Sequence, residues 1–235
     1  MSKPGDVIGL GDEIPTSPSE KLKGFEWWRR SMQYRTGLGL TDEEKKQFEH
    51  DYKVKYLPRQ CADCITNRDW MLKFSPTVIF MVDHINKLGG NIDKSKIACD
   101  VCSETKGGGF HPEMGILLCA NWIRNKWQLE DILAHELVHA YDHLKFKVDV
   151  SDLRHHACTE IRASMLSGEC RLFNEIKKTG LGNFGGKFQE CIKRRAILSV
   201  SANPACKNEE EAKKAVNSVW QSCFNDTRPF ERVYR

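Results

Sequence analysis

The sequence predicts a mainly helical α+β fold carrying one small sheet. Three observations predict it. Apolar residues recur at helical spacing through most of the chain. Short β-type runs occur only near residues 95–119. A chain of 235 residues with 40% hydrophobic content is long enough for one substantial core. Residues 1–22 read as a disordered leader and residues 23–235 as a single domain.

Taken in order, "KGFEWWRRSMQYRTG" (23–37) reads as an aromatic amphipathic helix ending at Gly37, with Trp27 or Trp28 packed in the core rather than anchored in a membrane. Thr41 and Glu44 in "TDEE" form a capping-box signature for a helix running to about Lys55. Residues 67–88 read as an apolar helical segment entered at Pro76 and stopped by Gly89–Gly90. "SKIACDVC" and "GILLC" read as strands around the loop "SETKGGGFHPEM". A helix follows over about 128–145. Another begins near Ser151, runs through "DLRHHACTEIRASMLSGECRLFNEI" and ends at the Gly-rich break "TGLGNFGG". The last two helices cover about Lys187–Val200 and "EEEAKKAVNSVWQSCF", where Ala212, Ala215, Val216, Val219 and Cys223 share one face.

Composition narrows the function classes. The net charge is +4 and the pI about 8.5, too weakly basic for a dedicated nucleic-acid binder and compatible with an anionic membrane surface. No run of eighteen apolar residues exists, so no transmembrane helix is expected. The N-terminus lacks a secretory h-region, and Asp6, Asp12, Glu13 and Glu20 argue against an Arg-rich, acid-poor presequence. Ten cysteines spread over residues 61–223, which reads as a disulfide framework if the compartment is oxidising. The pairs Cys61/Cys64 and Cys99/Cys102 have CxxC spacing and could instead hold a structural zinc, although 34 residues separate them, beyond the usual ribbon spacing.

The stretch that carries chemistry is "ILAHELVHAYDHLKFKVD" (132–149). Burying His135, Glu136 and His139 among Ile132, Leu133, Leu137 and Val138 costs free energy unless something pairs with them. Four-residue spacing on a helix puts the two imidazoles on one face, one turn apart. This HExxH pattern reads as a zinc site with Glu136 as its base. The bland alternative is a buried helix whose histidines hydrogen-bond to backbone carbonyls.

A catalytic zinc takes three protein ligands and a water. Glu160 in "CTEIRAS", 21 residues beyond His139, is placed to complete a His₂Glu set from a returning helix. His155 and His156 are the next candidates, with Asp142 behind them; Asp142 could instead orient an imidazole from outside the ligand set. Lys145 stands where one large zinc-protease class carries its third histidine, so that class is not expected. The bland readings are an ion pair of Glu160 with Arg162, and a solvated helix N-terminus for His155 and His156. The chemistry implied is amide hydrolysis, with Glu136 moving the water's proton to the leaving amine. "GILLC" at 115–119, if an edge strand, would let an extended peptide pair beside the zinc; if internal, it is ordinary core.

"GGGFHPEMGILLCANW", "AHELVHAYDHLKF", "HACTEIRASMLSGEC", "KRRAILSVSANPAC" and "VWQSCFNDTRPF" together resemble the mitochondrial inner-membrane metalloprotease family that matures and assembles subunit 6 of the ATP synthase. The resemblance covers about residues 23–235. It implies a zincin-like fold and a peripheral protein on the intermembrane-space side of the inner membrane. It also implies removal of the N-terminal segment of the subunit 6 precursor, and a chaperone role in membrane-sector assembly independent of proteolysis. The family's motif maps onto His135, Glu136 and His139 as two Zn²⁺ ligands and the catalytic glutamate; Glu160 remains a reading of the residues. An oxidising intermembrane space would also account for the cysteines as disulfides.

A different class is a non-enzymatic scaffold, a partner of a DNA-repair complex with a structural metal. It predicts reduced cysteines and indifference to loss of Glu136. "KRR" at 193–195 reads as a solvated helix face or, alternatively, as a contact to anionic lipid.

Overall fold

The computed structural model describes residues 25–55, 57–170 and 184–231. The expected leader, the segment 171–176 and most of the Gly-rich break lie outside the described residues. Helix α1 (Phe25–Thr36) ends at Gly37, whose φ of +69° is in the left-handed region that glycine enters at no steric cost. Helix α2 (Asp42–Lys55) opens on the expected capping box. The Glu44 amide donates to Thr41 Oγ1 at 3.2 Å and the Thr41 amide donates to Glu44 Oε2 at 2.9 Å.

Two helices replace the expected segment 67–88. Helix α3 (Leu57–Phe74) begins well before it, and α4 (Pro76–Lys87) is a separate helix capped by Ser75, whose hydroxyl accepts from the Val78 amide. Pro76 is the physical reason for the break: it has no N–H to continue α3 and is pre-set for the first turn of α4. Trp28 is 58% exposed and stacks on Phe25, so it is not a core residue; nothing is described of the Trp27 side chain.

The sheet has strand order β1-β3-β2, with β1 (Ile97–Asp100) parallel to β3 (Gly115–Cys119) and β2 (Gly108–His111) antiparallel to it. The stretch read as a loop around "SETKGGGFHPEM" therefore contains a strand. Its Gly-rich residues have little β propensity of their own, and the ladder to β3 supplies the order. The β3 strand is central and buried, so it is core rather than the peptide-accepting edge; β2 is an edge, beside the next helix.

Helix α5 (Lys126–Phe146), capped by Asn125, runs against the sheet and is buried along residues 132–138. Helix α6 (Leu153–Leu166), capped by Asp152, returns beside it and ends ten residues short of the expected "NEI". Helices α7 (Phe184–Ser201) and α8 (Glu209–Asn225) cover α6. One core joins these layers through Met71, Met81, Leu133, Leu137, Ile161 and Ile192.

Four disulfides cross-link the elements. Cys64 of α3 bonds to Cys99 of β1, Cys102 to Cys119 of β3, Cys158 of α6 to Cys223 of α8, and Cys170 to Cys191 of α7. The CxxC motifs are thus split: three of their four sulfurs are in disulfides and Cys61 is a free thiol, which leaves no four-thiolate metal site.

Candidate metal centre

His135 and His139 are one turn apart on α5, with ring centroids 4.7 Å apart, and α6 delivers Glu160 between them. His135 Nε2 lies 3.7 Å from Glu160 Oε2, and His139 Nε2 lies 3.5 Å from Glu160 Oε1. These distances are long for hydrogen bonds. They match co-ligands of one ion: two atoms each about 2.0–2.1 Å from zinc at a tetrahedral angle sit about 3.4 Å apart. One ligand atom from each of the three residues lies within 4.8 Å of the others, so the donor set and its spacing fit a zinc.

The other candidates fall elsewhere. His155 is exposed and accepts from the Asp149 amide. His156 does touch the cluster: its Nε2 is 3.4 Å from Glu160 Oε1, and Asn203 Nδ2 is 2.8 Å from its Nδ1. Asp142 is buried behind His139 and reaches it through one intermediary. The Thr159 hydroxyl donates to Asp142 Oδ2 at 2.9 Å and lies 2.9 Å from His139 Nδ1. Arg162 does not pair with Glu160. It is 1% exposed, grips Asp142 through Nε, and reaches Asp226 and the carbonyl of Arg228 beyond α8.

Comparison with known proteins shows the family. Residues 62–231 match the Peptidase M76 family. The chain belongs to that family. It is 75% identical over 224 residues, 95% of each chain, to the mitochondrial inner membrane protease ATP23 of Debaryomyces hansenii. The protein of the same name from Candida albicans is 68% identical, with 95% of each chain covered. That from Kluyveromyces lactis is 54% identical, with 94% of each covered. No solved structure matches the chain. As an M76 peptidase the protein is a metalloprotease, and a metal is implied.

In this peptidase the site's electrostatics separate its two histidines. Burial pushes His139 down to about 4, leaving a neutral imidazole. Burial acts on His135 in the same sense but is outweighed by Glu169, Glu160 and Glu136, which lift it to about 9 in the metal-free chain. Burial also opposes charge on Glu160, yet His139, His156 and His135 hold its carboxyl well below the usual carboxylate range. Burial pushes Glu136 up to about 7, the range a base needs to exchange protons near neutral pH.

Glu169 is the site residue that sequence reasoning missed. Its Oε2 lies 3.3 Å from His135 Nδ1, on the side away from Glu160, and 2.7 Å from Arg195 Nε. Such a carboxylate behind a ligating imidazole fixes its orientation and raises its basicity. A signal was present: Glu169 is the only charge in "ASMLSGEC" and precedes a cysteine that becomes cross-linked. Arg195 belongs to the "KRR" run and reaches the site; Lys193 lies over the Trp220 ring at 4.6 Å.

Proposed function

We propose that the chain is a zinc endopeptidase with a zincin-like active site, in which His135, His139 and Glu160 hold the ion and Glu136 is the catalytic base. The observation that carries this reading is the convergence of the three ligand atoms in one cluster, with Glu136 on the same helix as both histidines. A bound zinc would supply Lewis-acid polarisation of the scissile carbonyl and an acidified water. The chain's own residues do the rest. The Glu136 carboxylate takes a proton from the attacking water and returns it to the leaving amine. Thr159 holds the His139 ring by its Nδ1 atom, and the Glu169 carboxylate stands 3.3 Å from His135 Nδ1. The outer edge of β2 offers an extended peptide a strand to pair with, and a Cβ on Gly108 would lie 3.4 Å from Glu136 Oε1, which places that strand beside the base.

The proposed setting is the intermembrane-space face of the mitochondrial inner membrane, with peripheral attachment. The relatives' name, four disulfides and the lack of any described helix long and apolar enough to cross a membrane support it. The proposed substrate is the precursor of ATP synthase subunit 6, with a chaperone role in membrane-sector assembly; the sequence resemblance supports both. The disulfides and the peptidase membership weigh against a nuclear scaffold.

The test is zinc content and turnover together. Wild type should hold about one zinc per chain, Glu160→Ala should lose it, and Glu136→Gln should keep it without cleaving. Cells carrying Glu136→Gln should accumulate the uncleaved subunit 6 precursor. Full zinc in Glu160→Ala would remove Glu160 from the ligand set, and turnover by Glu136→Gln would remove the base.

A further inference from the structure

The ends of α3 and α5 present a surface that the peptidase chemistry does not use. Trp127 is 66% exposed, Phe74 52% and Trp70 36%. The Trp70 and Phe74 rings are 5.3 Å apart. Lys126 Nζ lies 2.8 Å from the centre of the Trp70 ring and 5.6 Å from that of Trp127, and Lys73 Nζ lies 5.2 Å from that of Phe74. Two elements distant in sequence thus build one cluster of aromatic faces alternating with ammonium groups. The α3 side chain next to Trp70, Met71, is fully buried, so the core did not lack room for apolar groups on this helix.

We propose that this cluster is the surface by which the peptidase docks on a bilayer containing anionic lipid. The inference rests on the peripheral-membrane reading above and assigns it a place. Its chemistry is that of the headgroup layer, where amphipathic rings settle and lysines meet lipid phosphates. Charge complementarity favours a bilayer over a protein partner, because protein interfaces are depleted of lysine. Opposing charges on the same stretches are already engaged: Asp69 pairs with Arg68, and Glu130 accepts from the Ser75 hydroxyl. The N-terminus of α5 adds the positive end of its dipole. His135 is eight residues beyond Trp127 on the same helix, about 12 Å along its axis, so docking here keeps the metal centre close to the membrane.

The experiment is flotation of the full zinc-loaded chain with two kinds of vesicle, pure phosphatidylcholine and phosphatidylcholine with one quarter phosphatidylglycerol. Wild type should float with the anionic vesicles. Lys73→Gln with Lys126→Gln should weaken that partition about 25-fold, from about fivefold per lysine. Trp127→Ala should weaken it about tenfold, the loss of roughly 60 Å² of apolar burial. Lys193→Gln with Arg194→Gln, and Trp28→Ala on α1, should bind as wild type. Lipids brominated in the upper acyl chain should quench wild-type tryptophan fluorescence, and Trp127→Phe should lose part of that quenching. Zinc content and peptide cleavage should stay at the wild-type level in every variant. A failure of the zinc centre would show there and nowhere else. Wild type that floats with neither vesicle, patch variants that float unchanged, or loss of binding only in Trp28→Ala would overturn the assignment. Capture only by vesicles carrying a membrane protein would do so too, in favour of a protein partner.

Discussion

Glu169 approaches His135 from the side opposite Glu160, and Arg195 keeps its carboxylate in place. Glu169→Gln retains the shape and removes the charge. Zinc affinity should fall about 10–100-fold, read by competition with a chromogenic chelator. The same neighbours set a pH dependence. A folded-state pKa above the unfolded one means that the folded chain holds the proton more tightly. His135, lifted from 6.5 to about 9, therefore stabilises the metal-free chain fully below pH 6.5 and loses that contribution as pH rises through about 9. Glu136, raised to about 7, acts in the same direction as pH rises through that value. With chelator present, Tm should drop between pH 6.5 and 9. Zinc affinity should rise over the same window, because ligation requires the neutral imidazole. A flat chelated Tm would show that Glu169 does not interact with His135 as described.

The elements are held to the site by buried polar locks. Arg162 on α6 ties Asp142 on α5 to Asp226 beyond α8, and both Arg162 and Asp142 are fully buried. Arg162→Met would leave Asp142 buried without its cationic partner, at a cost of about 3–5 kcal/mol, measurable by urea denaturation. The sheet is fitted as closely. A Cβ on Gly108 would stand 2.7 Å from the Leu117 carbonyl oxygen and 3.1 Å from Ile132 Cγ2. Gly108→Ala must therefore push β2 away from β3 and α5, destabilising by about 1–3 kcal/mol. Peptide turnover should fall while zinc content is kept, since β2 supplies no ligand. Equal loss of zinc and turnover would mean that the strand supports the ligands rather than the substrate.

Across the whole molecule, disulfides join segments well separated along the chain. Cys158–Cys223 spans 65 residues and Cys102–Cys119 spans 17. Loop-closure entropy makes the longer link worth about 4 kcal/mol and the shorter about 3 kcal/mol. Replacing Cys158 and Cys223 by alanine should lower Tm more than replacing Cys102 and Cys119, by calorimetry under non-reducing conditions. The reverse order would indicate that the shorter link relieves more than chain entropy.

By itself the sequence determined the helical class, the HExxH helix and most helix starts. Each depends on spacing or on a single residue: His135 and His139 four apart, Thr41 with Glu44, Pro76. Periodicity and capping are local physics and survive without a fold. It also placed Glu160 among the third-ligand candidates, since a returning helix is a local expectation. Tertiary structure alone decided what depends on neighbours remote in the chain. It made β2 a strand, because Gly108–His111 take their order from β3 and not from their own propensity. It placed Glu169 and Arg195 behind His135, and Thr159 and Asp142 behind His139, since a ring's second nitrogen has no signature in spacing. It split the two CxxC motifs, because disulfide pairing follows distance between Cα atoms and not distance along the chain.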